Sequence, residues 1–236
     1  MTGEPESLDT DEGLERRRHR HWLDRLTMLS DGVFAIAITL LAFDVHGPAG
    51  WDGRSASLWA ALAPQLDAYA LSFVVIAVYW LAHRRMMAMI LTVDPPVTVL
   101  NLVMLGLVAL LPAATRLTHA LGPRSATMLA YGGLVVAIGA ALAALWAYAA
   151  LIADLVSPQV SRPLRWFLML LMLFTPPFFL LLVMLLPTPG PGVVPSCLVI
   201  LFVIGWRTRM WVARRLGPAP PRPEPMPGDH PSINLR

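Results

Sequence analysis

The feature that most constrains this chain is a series of apolar stretches, each about as long as a membrane is thick. The hydrocarbon core of a bilayer is about 30 Å across, and an α-helix needs roughly 20 apolar residues to cross it. A helix on the surface of a soluble protein keeps a polar stripe, whereas the stretch 167–186 has none. The sequence therefore predicts an all-α, polytopic membrane protein. Its six predicted transmembrane helices cover residues 26–45, 58–82, 97–115, 126–152, 166–186 and 193–212.

The composition agrees with a chain that is embedded in a lipid bilayer. Hydrophobic residues make up 56% of the sequence and charged residues only 14%, compared with about a quarter charged residues in soluble domains. The formal net charge is +3, and every basic residue is an arginine. These arginines flank the apolar spans, so we expect the lipid bilayer as a partner and no binding of nucleic acid.

The positions of the arginines also predict the orientation of the chain. Short cytoplasmic loops of membrane proteins carry an excess of basic residues. With six spans, one side holds thirteen arginines and the opposite side holds only Arg54, Arg116 and Arg124. We therefore expect a multi-pass protein of the cell membrane with both termini in the cytoplasm. The predicted organisation is a cytoplasmic N-terminal tail (1–24), a six-helix transmembrane domain (25–215) and a disordered, proline-rich cytoplasmic tail (216–236).

Sequence motifs that support catalysis are missing. The chain contains no HExxH, no GxSxG and no phosphate-binding loop. Cys197 is the single cysteine, so neither an intrachain disulfide nor a cysteine-based metal cluster can form. We therefore predict that the chain is not an enzyme and that it uses no cofactor.

The first span contains the charges that most need an explanation. Asp31 lies a turn or two inside the apolar stretch, where an ionisable group costs on the order of 2.5–3.5 kcal/mol and usually meets a partner or water. A polar network at the cytoplasmic end would supply that partner. A helix-dipole role for Asp31 and an interfacial role for Trp80 and His83 remain alternatives. The predicted network consists of Arg25, Ser30, Asp31, Trp80, His83 and Asn101.

The same polar residues belong to a longer pattern. The first span reads Arg25-x-x-x-Leu29-Ser30-Asp31, followed by Gly-Val-Phe-Ala-Ile-Ala-Ile-Thr. This pattern resembles the signature of the transmembrane protein 175 family of potassium channels, and more closely that of its bacterial members. Leu29 departs from the family pattern, which has phenylalanine at that position. The second and third spans also resemble the family, whereas spans four to six match it only in number and hydrophobicity.

The resemblance implies a potassium-permeable cation channel that assembles as a homotetramer around a central pore. Conduction would be passive, with potassium as the permeant ion and the first helices as the pore lining. The matching constriction residues are Ile36, Leu40 and Phe43, and Thr39 matches a threonine that contributes to selectivity. Positions 36, 40 and 43 share one helical face. Spacing alone leaves open whether that face lines a pore or packs in a core.

Other interpretations of the polar residues remain. A secondary transporter or proton-coupled carrier would use Asp31 and His83 as exchangeable sites, although the paired repeats typical of such carriers are not visible. A membrane enzyme has the least support. At the outer end of the first span, Asp44 either joins a ring of four carboxylates that concentrates cations or is a solvated helix-end charge.

Overall fold

Helices dominate the part of the chain that the structure describes. The computed structural model describes residues 5–48, 50–121 and 125–185. Within these ranges, the single extended pairing is an isolated antiparallel bridge between Ile90 and Val156. The predicted sixth span and the proline-rich tail lie outside the described residues.

The first helix, α1 (Pro5–Ala42), is 38 residues long. It begins far ahead of the first predicted span because arginine, glutamate and leucine, all good helix formers, are frequent in the preceding segment. The segment 1–24, which was predicted as a tail, is therefore helical from residue 5 onward. The part of α1 that is long and apolar enough to cross a membrane is His21–Ala42.

The second helix, α2 (Ser55–Met87), has 33 residues and extends beyond the predicted span 58–82 at both ends. At 1.5 Å per residue it is about 50 Å long, which exceeds the thickness of the bilayer core. Just before this helix, Asp52 Oδ1 accepts hydrogen bonds from the Ser57 hydroxyl and from the Arg54 N–H. These bonds hold the pKa of the exposed Asp52 carboxyl below its ordinary value, because they favour the ionised form.

The third predicted span, 97–115, is divided between two helices, α3 (Pro95–Ala109) and α4 (Leu111–Leu121). The break follows from Pro112, which has no N–H to donate to the carbonyl four residues earlier and whose ring crowds that carbonyl. The apolar stretch Pro95–Thr118 nevertheless remains long enough to cross a membrane.

The fourth predicted span, 126–152, corresponds to α5 (Ser125–Ala147) and a π-helical turn that continues it, Tyr148–Ile152. The fifth predicted span, 166–186, corresponds to α6 (Arg162–Leu185). The sequence pattern therefore located both helices to within a few residues, but it did not predict the π-helical turn.

A buried arginine holds the C-terminal end of α5 and the π-helical turn against the start of α6. The Arg165 guanidinium donates to the carbonyls of Ala150 at 2.8 Å and Val160 at 3.0 Å, and it also binds the Asp154 carboxylate. The Trp146 indole N–H donates to the Arg165 carbonyl at 2.8 Å. The Ala150 carbonyl lies in the π-helical turn, so the guanidinium donates to a carbonyl at the C-terminal end of the helix.

The helices pack in a connected order. α1 contacts α2, α3 and α4, while α5 contacts α3, α4 and α6, so α3 and α4 link α1 to α5. Fully buried apolar side chains fill the space between them, among them Phe34, Ile76, Met104, Leu142 and Trp146. Within the described ranges, four stretches meet the length and hydropathy of a membrane span: His21–Ala42, Ser55–Met87, Pro95–Thr118 and Ala126–Ile152. The prediction of a helical membrane protein is therefore confirmed.

Candidate functional site

The membrane-spanning part of α1 has one face that packs against the rest of the chain. Side chains on this face recur every three or four residues, which is the period of a helix. Their burial fixes the rotation of α1 about its own axis, because a turned helix would place other residues against the bundle. The buried residues are Leu26, Ser30, Phe34, Ala37 and Leu41.

The opposite face of α1 is directed away from its own subunit. Ile36 is 59% exposed, Leu40 is 40% exposed and Phe43, just beyond the end of the helix, is 78% exposed. All three residues predicted to form a constriction therefore lie on the outward face. An apolar face of this kind contacts either lipid or another copy of the chain.

Thr39 lies on the same outward face. Its Oγ1 donates a hydrogen bond of 2.9 Å to the carbonyl of Ile36, one turn earlier. The hydroxyl proton is thus used within the helix, and the hydroxyl oxygen is left as an acceptor on an otherwise apolar surface.

A chain of buried hydrogen bonds joins α1 to α2 and α3. Ser30 Oγ donates to the Leu26 carbonyl at 2.8 Å, so it accepts the 3.0 Å bond from the Asn101 side-chain amide. Asn101 Oδ1 then lies 2.7 Å from His83 Nε2. Because Oδ1 is an acceptor only, His83 Nε2 must carry a proton. All three polar side chains are buried.

The second ring nitrogen of His83 makes a protonated imidazole unfavourable at this position. Nδ1 is buried and has no hydrogen-bond partner among the described residues. The ring lies beside Phe34, with centroids 5.7 Å apart. A buried N–H without an acceptor would be costly, so the geometry favours the neutral tautomer with the proton on Nε2.

Asp31 has a separate partner. The Trp80 indole N–H donates a 2.7 Å hydrogen bond to Asp31 Oδ1. The Arg84 guanidinium lies over the Trp80 ring, 5.4 Å from its centroid. The hydrogen bond between the carboxylate and the indole therefore joins α1 to α2, and the Arg84 cation packs on the same indole from within α2.

Arg25 lies apart from these bonds. Its guanidinium is 5.7 Å from the ring centroid of Trp22, on the same helix. Among the described residues, no hydrogen bond or ion pair joins Arg25 to the other five residues of the predicted network. The structure thus brings together Ser30, Asn101 and His83 in one chain of bonds and Asp31 with Trp80 in another.

Just beyond the C-terminal end of α1, which is its predicted outer end, the structure places Asp44 in an arrangement that neither sequence-based alternative described. Its carboxylate is 19% exposed and accepts a 2.7 Å bond from the Arg116 guanidinium on α4. Asp44 is therefore part of an ion pair within one subunit. Opposite charges lie at the C-terminal ends of the first and third predicted spans, which makes such a pair possible but does not specify it.

The loop that follows Asp44 is tied to α2. Gln65 Oε1 accepts a 3.0 Å bond from the His46 backbone N–H, and Gln65 Nε2 donates a 3.1 Å bond to the His46 carbonyl. His46 Nδ1 also lies 2.8 Å from the Asp44 carbonyl. The outer end of α1 is consequently held by both α2 and α4.

A cluster of hydroxyl groups lies deeper in the bundle. Ser72 Oγ is 2.9 Å from Thr115 Oγ1 and 3.2 Å from the Tyr131 hydroxyl. Thr115 Oγ1 donates to the Leu111 carbonyl at 2.9 Å. Sequence analysis did not identify this cluster, because its members come from α2, α4 and α5 and form no local pattern. Across the described residues, no group of three or more metal-ligating side chains is close enough to hold a metal ion.

Comparison with known proteins identifies the family. Residues 25–112, which run from Arg25 within α1 through α2 and α3 to the start of α4, match the family model described as the endosomal/lysosomal potassium channel TMEM175. The chain is 38% identical over 146 residues to a potassium channel of Streptomyces collinus, a match that covers 59% of this chain and 70% of that protein. It is 31% identical over 148 residues to a potassium channel of Chamaesiphon minutus, covering 58% of this chain and 71% of that protein.

The fold is also similar to a solved structure. The crystal structure of a lysosomal potassium-selective channel TMEM175 homolog from Chamaesiphon minutus matches with a TM-score of 0.58 and 22% sequence identity. The match covers 84% of this chain and 100% of that one. The likeness shows a shared fold, and with the sequence relatives it confirms the resemblance first seen in the motif of α1: the chain is a bacterial member of the TMEM175 family of potassium channels.

Proposed function

We propose that this chain forms a potassium-permeable channel in which four six-helix subunits surround a central pore. The membrane-spanning part of α1 from each subunit lines that pore, and ions cross it passively. The proposed location is the cell membrane, with both termini in the cytoplasm. The observation that carries the proposal is the outward, apolar face of α1, whose opposite face is fixed by buried polar bonds.

Four copies of Ile36 and Leu40 around an axis would form a narrow apolar collar. Such a collar gates by excluding water. An ion that passes it loses hydration and gains little in return, so low conductance is expected. The four Thr39 hydroxyl oxygens would form the nearest ring of polar atoms, and we assign to them the preference for potassium. Four copies of Phe43 would narrow the outer end of the pore.

The carrier alternative requires Asp31 and His83 to exchange protons with water. The full burial of His83 and its bond to Asn101 favour a structural role instead. The two functions also differ in what drives potassium movement, since a channel needs only the potassium gradient.

The test is potassium flux into liposomes that contain the purified protein, with Leu40→Ala as the pore variant. Leu129→Ala is the matched control, because Leu129 is also exposed and apolar but lies on α5. We expect a current that reverses near the potassium potential, and a larger current through Leu40→Ala only. A potassium flux that strictly requires a proton gradient would show that the chain is a carrier and not a channel. If Leu40→Ala and Leu129→Ala carry equal currents, Leu40 does not line the pore.

A further inference from the structure

One ion pair joins the outer end of α1 to α4. After Ala42 the chain turns, and the N–H groups of Phe43 and Asp44 bond to carbonyls three residues earlier, at 3.2 and 3.3 Å. Asp44 then reaches Arg116 on α4. Phe43 precedes Asp44 directly, so the position of the ion pair determines where the exposed Phe43 ring is held.

The surroundings of Asp44 make this ion pair important for the local structure. Asp44 Oδ2 is buried and has no hydrogen-bond partner among the described residues. Asp44 also lines a cavity of about 20 Å³ together with Leu41, Tyr69 and Thr115. A largely buried carboxylate is costly without a compensating charge. Among the described side chains, Arg116 is the one that forms an ion pair with it.

We infer that Asp44 and Arg116 are positioning residues of the pore, which set the placement of Phe43 and Thr39 through the outer end of α1. The inference rests on the proposed function, because it requires α1 to line the pore. Thr39 lies about one helical turn before Phe43, close enough to be displaced when the end of the helix moves. Neither Asp44 nor Arg116 needs to touch a permeating ion in this role.

An electrostatic role at the pore mouth makes an opposite prediction. If Asp44 concentrated cations, its removal would lower potassium conductance at low salt, while removal of the Arg116 positive charge would raise it. If the two residues position α1, both removals change permeation in the same direction. The sign of the Arg116 variant therefore separates the two roles.

The experiment measures conductance and the potassium-to-sodium permeability ratio for Asp44→Asn, Arg116→Gln and the double variant in planar bilayers. We expect both single variants to lower the permeability ratio severalfold. Asp44 is 19% exposed and Arg116 is 65% exposed, so Arg116→Gln leaves a largely buried carboxylate without its cation. The double variant removes that carboxylate charge as well and should lie closer to the wild type than Arg116→Gln does. Asp44→Glu, which keeps the charge, should restore most of the ratio.

Arg54→Gln serves as the matched control, because it removes another outer-side arginine that the structure places in an exposed loop. Opposite effects of Asp44→Asn and Arg116→Gln that disappear at high salt would overturn the inference in favour of cation concentration. Strictly additive effects, or an unchanged ratio in both single variants, would also overturn it. If Arg116→Gln does not fold, the permeability ratios of the double variant and of Asp44→Glu still test the positioning role. A wild-type protein that conducts no potassium would instead refute the proposed function itself.

Discussion

The side-chain amide of Asn101 donates a 3.0 Å hydrogen bond to Ser30 Oγ, and this bond joins two residues that are 71 positions apart in the chain. It connects the buried face of α1 to α3. A rotation of α1 about its axis would break the bond and expose an unpaired amide inside the membrane, where no water replaces it. The bond therefore helps to select which face of α1 is directed outward.

We predict that Asn101→Ala destabilises the protein strongly. The substitution leaves the His83 Nε2–H without an acceptor inside the bundle, and each buried polar group left unpaired costs about 1–3 kcal/mol. Denaturation of the purified protein in detergent, followed by circular dichroism, measures the loss.

The control for this prediction compares two hydroxyl groups on α1. Thr27 Oγ1 and Ser30 Oγ both donate to a carbonyl four residues earlier, but the structure joins only Ser30 to Asn101. Ser30→Ala should therefore cost more than Thr27→Ala. Equal, small effects would mean that the bond between Ser30 and Asn101 adds nothing to stability.

We also predict that Trp80→Phe weakens the contact between α1 and α2. Phenylalanine keeps an aromatic ring, although a smaller one, but removes the N–H that binds the Asp31 carboxylate. A hydrogen bond to a charged group contributes about 1.5–3 kcal/mol, so the unfolding free energy should fall by about that amount.

A double-mutant cycle with Asp31→Ala, which removes the acceptor oxygens, checks the prediction for Trp80. The two substitutions should be less than additive, because they remove the same interaction. Trp59→Phe, at an exposed position on α2, should be close to neutral. Full additivity would show that the indole and the carboxylate act independently.

The sequence predicted the parts of the fold that depend on local patterns. Runs of apolar residues located the helices, since a bilayer sets a minimum length for each span. The cost of Asp31 at membrane depth indicated that partners were needed, and the structure places Trp80 beside it. Ser30, His83 and Asn101 were also expected at one depth, which follows from counting residues along each span.

Contacts that depend on how helices turn toward each other could not be predicted in this way. Arg25 was expected in the network, but its guanidinium lies beside Trp22 on the same helix. The ion pair of Asp44 with Arg116 depends on the approach of α4 to the end of α1. The π-helical turn is likewise closed by Arg165, a residue beyond the helix itself. Spacing within one helix contains no information about these partners.

Thr39→Val should reduce selectivity without unfolding the protein. Valine has nearly the same shape as threonine, but it replaces the hydroxyl oxygen on the outward face by a methyl group. On the proposed function, the pore would lose its ring of oxygens, so we expect the potassium-to-sodium permeability ratio to fall on the order of twofold to tenfold. Reversal potentials under mixed-ion conditions measure the ratio. Thr39→Ser keeps the hydroxyl and should retain selectivity, so a loss in both variants would contradict the role of the oxygen.

The hydroxyl cluster predicts which of two substitutions lowers the unfolding free energy more. Thr115 donates to the Leu111 carbonyl, so it accepts from Ser72, and Ser72 in turn accepts from Tyr131. Ser72→Ala interrupts this chain in the middle and leaves the Tyr131 hydroxyl without its acceptor. Tyr131→Phe removes the first donor and leaves every remaining donor paired.

Ser72→Ala should therefore lower the unfolding free energy by about 1–3 kcal/mol, and Tyr131→Phe by less than about 1 kcal/mol. Each substitution removes a single oxygen atom, so a difference between them reflects hydrogen bonding more than packing. Denaturant titrations of the two variants in the same detergent measure this difference. If Tyr131→Phe proves the more damaging substitution, the direction of donation along the chain is the reverse of the one inferred from the Thr115 bond.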